Sequence, residues 1–204
     1  MKPAVLSIVR HGETSANVLG VWHGSIDSEL TERGRRQAGR VAAELAAAAP
    51  RATALYASPL RRARDTARAI EAALSLEARV EPDLAEYHLG ELEGLSYREL
   101  VARHRLFEWM REDPDCRPGG GESPRQVAMR CAAALQRIAS AHRGERVVVV
   151  SHGGALTLGL GLILDADPGA WRRVMDNCAI TELTLEPEPA LLCFNRIAHL
   201  ESSE

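Results

Sequence analysis

Val147-Val148-Val149-Val150-Ser151-His152-Gly153-Gly154 decides the fold class. Four successive valines with no polar alternation read as a strand buried on both faces, as the centre of a parallel sheet requires. The run breaks at Ser151-His152-Gly153-Gly154 into a further helical stretch. Near the other end of the chain Val5–Val9 (VLSIV) reads the same way, and it stops at Arg10-His11-Gly12. Two apolar strands thus end in a histidine followed by glycine.

The intervening sequence alternates helix and strand. Thr31 is placed to cap a helix reaching about Ala49, with Ala38, Val41, Ala42 and Leu45 at helical spacing. Ala54–Ala57 forms a second strand. Ser58-Pro59 reads as an N-cap with proline at the first helical position, followed by a stripe of Leu60, Ala63, Ala67, Ile70 and Leu74. Ser96 with Glu99 makes a capping box for a helix through Phe107, Trp109 and Met110, and Ser123-Pro124 opens another along Val127, Cys131, Leu135 and Ile138. Asp113–Glu122 is expected to be a surface loop, long enough for a lid. Ile180–Leu185 and Leu191–Ile197 close the chain as strands around a Pro187/Pro189 turn. Strand and helix in alternation predict an α/β sandwich around a mostly parallel sheet, one domain over residues 1–204.

Composition narrows the function. The chain has 204 residues, 46% hydrophobic and 26% charged, with a net charge of −3. That is ordinary globular composition, without the basic excess that nucleic acid or an anionic membrane attracts. No apolar run approaches a membrane span, and Met1-Lys2-Pro3 does not open a signal peptide. Cys116, Cys131, Cys178 and Cys193 are scattered without metal-knuckle spacing, so the chain reads as cytoplasmic with incidental thiols. Of the 25 basic residues only Lys2 is a lysine, so arginines are judged by position.

In open α/β sheets ligands lie beyond the carboxyl ends of the strands. His11 and His152 are expected to approach one another there, and Gly153-Gly154 to direct helix N-terminal N–H groups at an anion. Arg61, Arg62 and Arg64 crowd the positive end of a helix dipole, a placement that an inward arginine bound to an anion would offset. Glu86, Glu91 and Glu93, in a glycine-containing stretch, supply carboxyl groups for proton transfer.

These residues resemble the histidine phosphatase superfamily, also called phosphoglycerate-mutase-like. Arg10-His11-Gly12-Glu13-Thr14 is similar to its signature. Leu30-Thr31-Glu32-Arg33-Gly34, Ser58–Ala63, Glu86 with Gly90 and Glu93-Gly94, Gly119–Ser123 and Ser151–Gly154 agree in order and spacing. The resemblance covers roughly residues 4–185. It implies a three-layer α/β/α sandwich and a site that uses no metal and no cofactor. By resemblance His11 is the nucleophile, Glu86 the proton donor, and Arg10, Arg62 and His152 surround the phosphate. Asn17, Glu13, Thr14 and Gly153 are implied to bind substrate near it, and His23-Gly24 to border the leaving group.

The chain has no long basic insertion after Glu86, and Gly20-Val21-Trp22 stands where mutases of the family carry Asn-Arg-Phe. A phosphomonoesterase acting on a small phosphate ester is therefore expected, with phosphoglycerate mutase-type transfer as the alternative. A silent phospho-ligand module would tend to lose His11 or Glu86, and a metal hydrolase needs carboxylates at neighbouring strand ends. Trp22, Tyr87, Phe107 and Trp109 are candidates for the leaving-group wall, and Arg98, Arg103, Arg105 and Arg111 for selecting an acidic substrate. The C-terminal strands could pair across a homodimer.

Overall fold

The computed structural model describes residues 2–170 and 172–201, so Met1, Trp171 and residues 202–204 of the expected domain lie outside it. In chain order the elements are β1 (Val5–Arg10), α1 (Ser15–Leu19), α2 (Glu32–Ala47), β2 (Ala52–Ala57), α3 (Arg61–Leu74) and β3 (Ala78–Val80). They continue with α4 (Tyr97–Ala102), α5 (Leu106–Glu112), α6 (Pro124–Ala141), β4 (Arg146–Ser151), α7 (Gly153–Asp165), β5 (Ile180–Thr184) and β6 (Ala190–Arg196). The strands form one sheet in the order β3-β2-β4-β1-β5-β6. β5 alone runs against β1, and β6 turns back again beside it, so the sheet is mostly parallel as expected.

Alternate side chains of each central strand separate the two cores. Val147 and Val149 join Leu6 and Ile8 against α6 and α7. Val148 and Val150 join Val9 and Leu55 against α2 and α3. The four valines are fully buried. At about 1.5–3 kcal/mol for each fully buried aliphatic side chain, this strand supplies a large part of both cores. The result is the three-layer α/β/α sandwich. No helix among the described residues is long and apolar enough to cross a membrane.

Thr31 caps α2, and Ser96 and Ser123 close full capping boxes on α4 and α6. Three local expectations are corrected. Ser58 does not cap α3: the helix begins at Arg61 after Leu60, and the Ser58 hydroxyl accepts from the Leu60 N–H at 3.3 Å while lying 2.6 Å from His152 Nε2. The Asp27 carboxylate instead accepts the Arg61 N–H at 2.9 Å, bringing a negative charge to that helix end from a distant loop. The helix from Ser96 is two helices, broken at Arg105, which adopts φ 46°. Finally, the glycine-rich loop is no free lid. A Cβ on Gly119 would lie 2.4 Å from the Leu89 oxygen and one on Gly121 2.1 Å from the His88 oxygen, so the loop backbone is packed onto the segment after Glu86.

A second glycine contact fixes the end of β1. A Cβ at Gly34, in the first turn of α2, would meet the Glu13 carbonyl oxygen at 2.0 Å, whereas Gly39 on the exposed side of the same helix has open space. Gly34→Ala is therefore expected to destabilise the fold by about 1–3 kcal/mol through overpacking. Gly39→Ala should stabilise it by roughly 0.5–1 kcal/mol through helix propensity. Urea melts of the two variants check this pair, and equal shifts would contradict the contact.

Candidate active site

β1 and β4 are paired in register, with Val9 opposite Val150 and Arg10 opposite Ser151. The next residues of both strands are the histidines. Their rings stand 5.1 Å apart between centroids, inclined at 55°. His11 lines a cleft at the carboxyl end of the sheet together with Arg10, Arg62, Glu86, Asn17 and Gly153. His152 is fully buried behind it and does not line the cleft.

His11 Nδ1 lies 2.8 Å from the Gly12 carbonyl oxygen. A carbonyl only accepts, so Nδ1 carries the proton and Nε2 keeps its lone pair. The segment is itself tethered. Gly12 N–H donates to Thr66 Oγ1 at 3.0 Å, and Asn177 Nδ2 donates to the His11 carbonyl at 2.9 Å. Burial, reinforced by the charges of Arg62 and Arg10, holds the His11 pKa well below 6.5 against the opposing Gly12 bond. His152 is lowered in the same direction by burial, then Arg62 and His11. His152 is thus neutral at pH 7 in the unliganded chain.

Arg62 is the inward arginine, and Arg61 and Arg64 stay exposed. Arg62 Nη2 donates to the Gly24 carbonyl at 2.7 Å, and Nη1 donates to Ile26 O at 3.1 Å and to Asp27 Oδ1 at 3.3 Å. Arg10 Nη1 donates to Met175 O at 2.6 Å, while its buried Nε has no protein partner. Ser28 Oγ and His23 Nδ1 also line this cleft or its wall buried and unpartnered. Burial and then Arg62 lower the His23 pKa, with Glu93 opposing. Buried donors converging with two guanidinium groups form a place for an anion rich in oxygen acceptors.

Glu86 meets this place from the side. Its Oε1 accepts from Tyr87 N at 2.8 Å and Ala155 N at 2.7 Å, and Oε2 accepts from Gly154 N at 3.1 Å. The start of α7, expected to present its N–H groups to a ligand anion, therefore has two of them engaged by the chain's own carboxylate. Gly154 leaves room for that approach: a Cβ there would lie 2.6 Å from Glu86 Oε1 and push the carboxylate from its place.

Asn17, Thr14, His23, Gly24 and Gly153 all line the cleft. Asn17 Oδ1 accepts from Thr14 and from Asn177, which fixes its amide orientation. Glu13 does not line it. The Glu13 carboxylate turns away to Thr31 Oγ1 at 2.7 Å and Arg33 Nη1 at 2.9 Å, so its role is to tie the loop to α2. The aromatic expectation is also revised. Trp22 lines the cleft, but Tyr87 is fully buried in the core and Trp109 faces solvent. Tyr97 takes the wall position, with Phe107 stacked behind it at 6.1 Å. Arg98, Arg103, Arg105 and Arg111 are exposed and outside the cleft. Glu93 accepts from Ser25 N at 2.8 Å and Leu89 N at 3.2 Å, bracing the His23-Gly24 turn. Asn177 was not singled out from sequence, where a lone amide outside a motif carries no signal, and Thr66, which continues the Ser58–Ala63 stretch of the resemblance, carried no assigned role. Among the described residues no group of acidic, histidine and cysteine side chains has the geometry of a metal site.

A family model described as the histidine phosphatase superfamily (branch 1) matches residues 6–195. The metal-independent phosphoserine phosphatase of Arabidopsis thaliana is 43% identical over 154 residues, 73% of this chain and 64% of that protein. The probable phosphoglycerate mutase GpmB of Photorhabdus laumondii is 35% identical over 189 residues, covering 90% of this chain and 86% of that one. Among solved structures, mycobacterial glucosyl-3-phosphoglycerate phosphatase superposes with a TM-score of 0.84 at 29% identity, over 96% of this chain and all of that one.

Neutral buried histidines give a signed pH dependence. Both rings take protons more readily once unfolded, so the unfolded state binds more protons as pH falls below about 6.5. Their contribution to stability is complete above that pH. It declines below it by up to about 1.4 kcal/mol per pH unit per ring, until the lowered folded pKa is reached. Removing one titrating ring with His152→Asn should flatten the loss of unfolding free energy between pH 7 and 5 by about that slope. An unchanged slope in denaturant titrations would place a proton on the ring in the folded chain.

Proposed function

The chain belongs to the histidine phosphatase superfamily, and from that membership we propose that it hydrolyses small phosphate monoesters through a covalent intermediate on His11. The chain is a phosphoric monoester hydrolase, in keeping with relatives named as phosphatases. One observation carries the catalytic assignment: the His11 Nδ1 bond to the Gly12 carbonyl, which leaves Nε2 unprotonated in a cleft with Arg10 and Arg62.

The phosphoryl oxygens are bound by Arg10, Arg62 and Asn17, with Thr14 and the Gly153 backbone bordering them. His11 Nε2 attacks phosphorus, the P–N bond forms, and the bond to the ester oxygen breaks. Glu86 is the donor of the proton to that oxygen, and an alcohol leaves. Water then attacks phosphorus and the P–N bond breaks. Glu86 takes the water's proton, and inorganic phosphate departs with both side chains restored. The guanidinium groups counter the charge spread over the equatorial oxygens without reorganising during the reaction. This chemistry needs no metal or cofactor. His152, with Nε2 at Ser58, packs against the His11 ring and holds its position. His23 and Gly24 border the leaving group.

Hydrolysis, and not mutase-type transfer, follows if water reaches phosphohistidine faster than a second acceptor does. The free thiols Cys116, Cys131, Cys178 and Cys193 fit a reducing compartment, so a cytoplasmic location belongs to the same proposal.

Glu86→Gln is expected to lower kcat for alkyl phosphates by roughly 10²–10⁴-fold and for p-nitrophenyl phosphate far less, since only the alkoxide needs a proton. Equal losses on both would reassign the acid. Arg62→Ala should raise KM and lower kcat together by at least an order of magnitude, in steady-state assays where a wild-type rate would remove Arg62 from the phosphate pocket.

A further inference from the structure

We propose that Arg130, with Glu122 as its counter-ion, is the positioning residue that holds the acid loop so that Glu86 meets the leaving oxygen. The proposal rests on Glu86 being the proton donor.

Arg130 lies in the second turn of α6, largely buried, and does not line the cleft. All five N–H donors of its guanidinium are used. Nε donates to Glu122 Oε1 at 2.7 Å and Nη2 to Glu122 Oε2 at 2.9 Å, a fork-to-fork pair. Nη1 donates to the carbonyls of Asp83 at 2.9 Å and Ala85 at 2.6 Å, and Nη2 donates to the carbonyl of Glu86 itself at 2.9 Å. The intervening Leu84 carbonyl accepts from Ser151 Oγ at 2.8 Å, at the end of β4. Four consecutive carbonyls, from Asp83 to Glu86, are therefore held by the residue before His152 and by one guanidinium.

The clamp continues beyond Glu86. Glu122 N–H donates to His88 O at 2.8 Å, and His88 N–H donates to Glu122 Oε2 at 3.2 Å. The acid is thus pinned on both sides by the same ion pair. Residues 85–89 have no helix or strand ladder of their own, so side chains supply the partners that their backbone needs. A buried ion pair is a weak source of net stability compared with apolar packing. A planar fork addressing three carbonyls and a carboxylate instead gives direction, and a catalytic carboxyl must be held to about 0.5 Å.

Lysine preserves the charge of this residue but not its fork. In Arg130→Lys the kcat for an alkyl phosphate such as β-glycerophosphate is expected to fall about 10–100-fold, with p-nitrophenyl phosphate changed less than about 3-fold and KM for both nearly constant. Glu86→Gln is assayed beside it, and if Arg130→Lys does not fold, Glu122→Gln carries the same comparison. A leaving-group split in both variants supports the clamp. A split in Glu86→Gln with parallel losses, or none, in Arg130→Lys overturns the clamp and leaves the acid assignment standing. No split in Glu86→Gln removes the acid assignment and the clamp with it.

Discussion

The hydrogen bond from His11 Nδ1 to the Gly12 carbonyl is the constraint on which the site depends. An imidazole with either nitrogen free could present a proton or a lone pair to the cleft; here the backbone decides which. The decision is made at a strand end that cannot drift. β1 is locked in register against β4, Thr66 holds the Gly12 N–H, and Asn177 holds the His11 carbonyl. Gly34 lets α2 come within backbone contact of the residue that follows. A polar accepting carbonyl fixes the tautomer without adding a full negative charge, so the ring stays neutral beside two arginines.

Electrostatics at this end of the sheet are arranged for a ligand. Arg62 is nearly buried, and burial lowers its pKa while Glu86 and Asp27 oppose the shift. Backbone carbonyls of Gly24, Ile26 and Met175 satisfy part of the guanidinium groups, and unpartnered donors such as Arg10 Nε are left toward the cleft. Concentrating cations and neutral imidazoles in a desolvated place costs stability in the empty protein, and an oxyanion relieves that cost on binding. The large apolar cores on both faces of the sheet make the arrangement tolerable.

Regular structure and motif residues were legible because short-range physics dictates them. Val147–Val150 announces a central strand, capping boxes at Ser96 and Ser123 announce helix starts, and two His-Gly strand ends announce a ligand face. Arg62 was legible as a misplaced charge. What sequence concealed were partners brought from far along the chain. Asp27 neutralises the α3 end from 34 residues away, Ser58 lies beside His152 and does not cap α3, and Arg130 reaches back 44 residues to the Glu86 carbonyl. Glu13, inside the signature, faces α2 and not the cleft, since in an irregular loop adjacency does not set side-chain direction. The same reason exchanged Tyr87 for Tyr97 in the wall.

The regiochemistry of the trapped phosphoenzyme tests the central claim most directly. Enzyme labelled with ¹⁵N in histidine, quenched at alkaline pH during turnover and denatured, can be read by ¹⁵N–³¹P correlation. Phosphorus coupled to Nε2 of His11 is the predicted result. Phosphorus on Nδ1, on His152, or on no histidine would contradict the tautomer that the Gly12 carbonyl imposes.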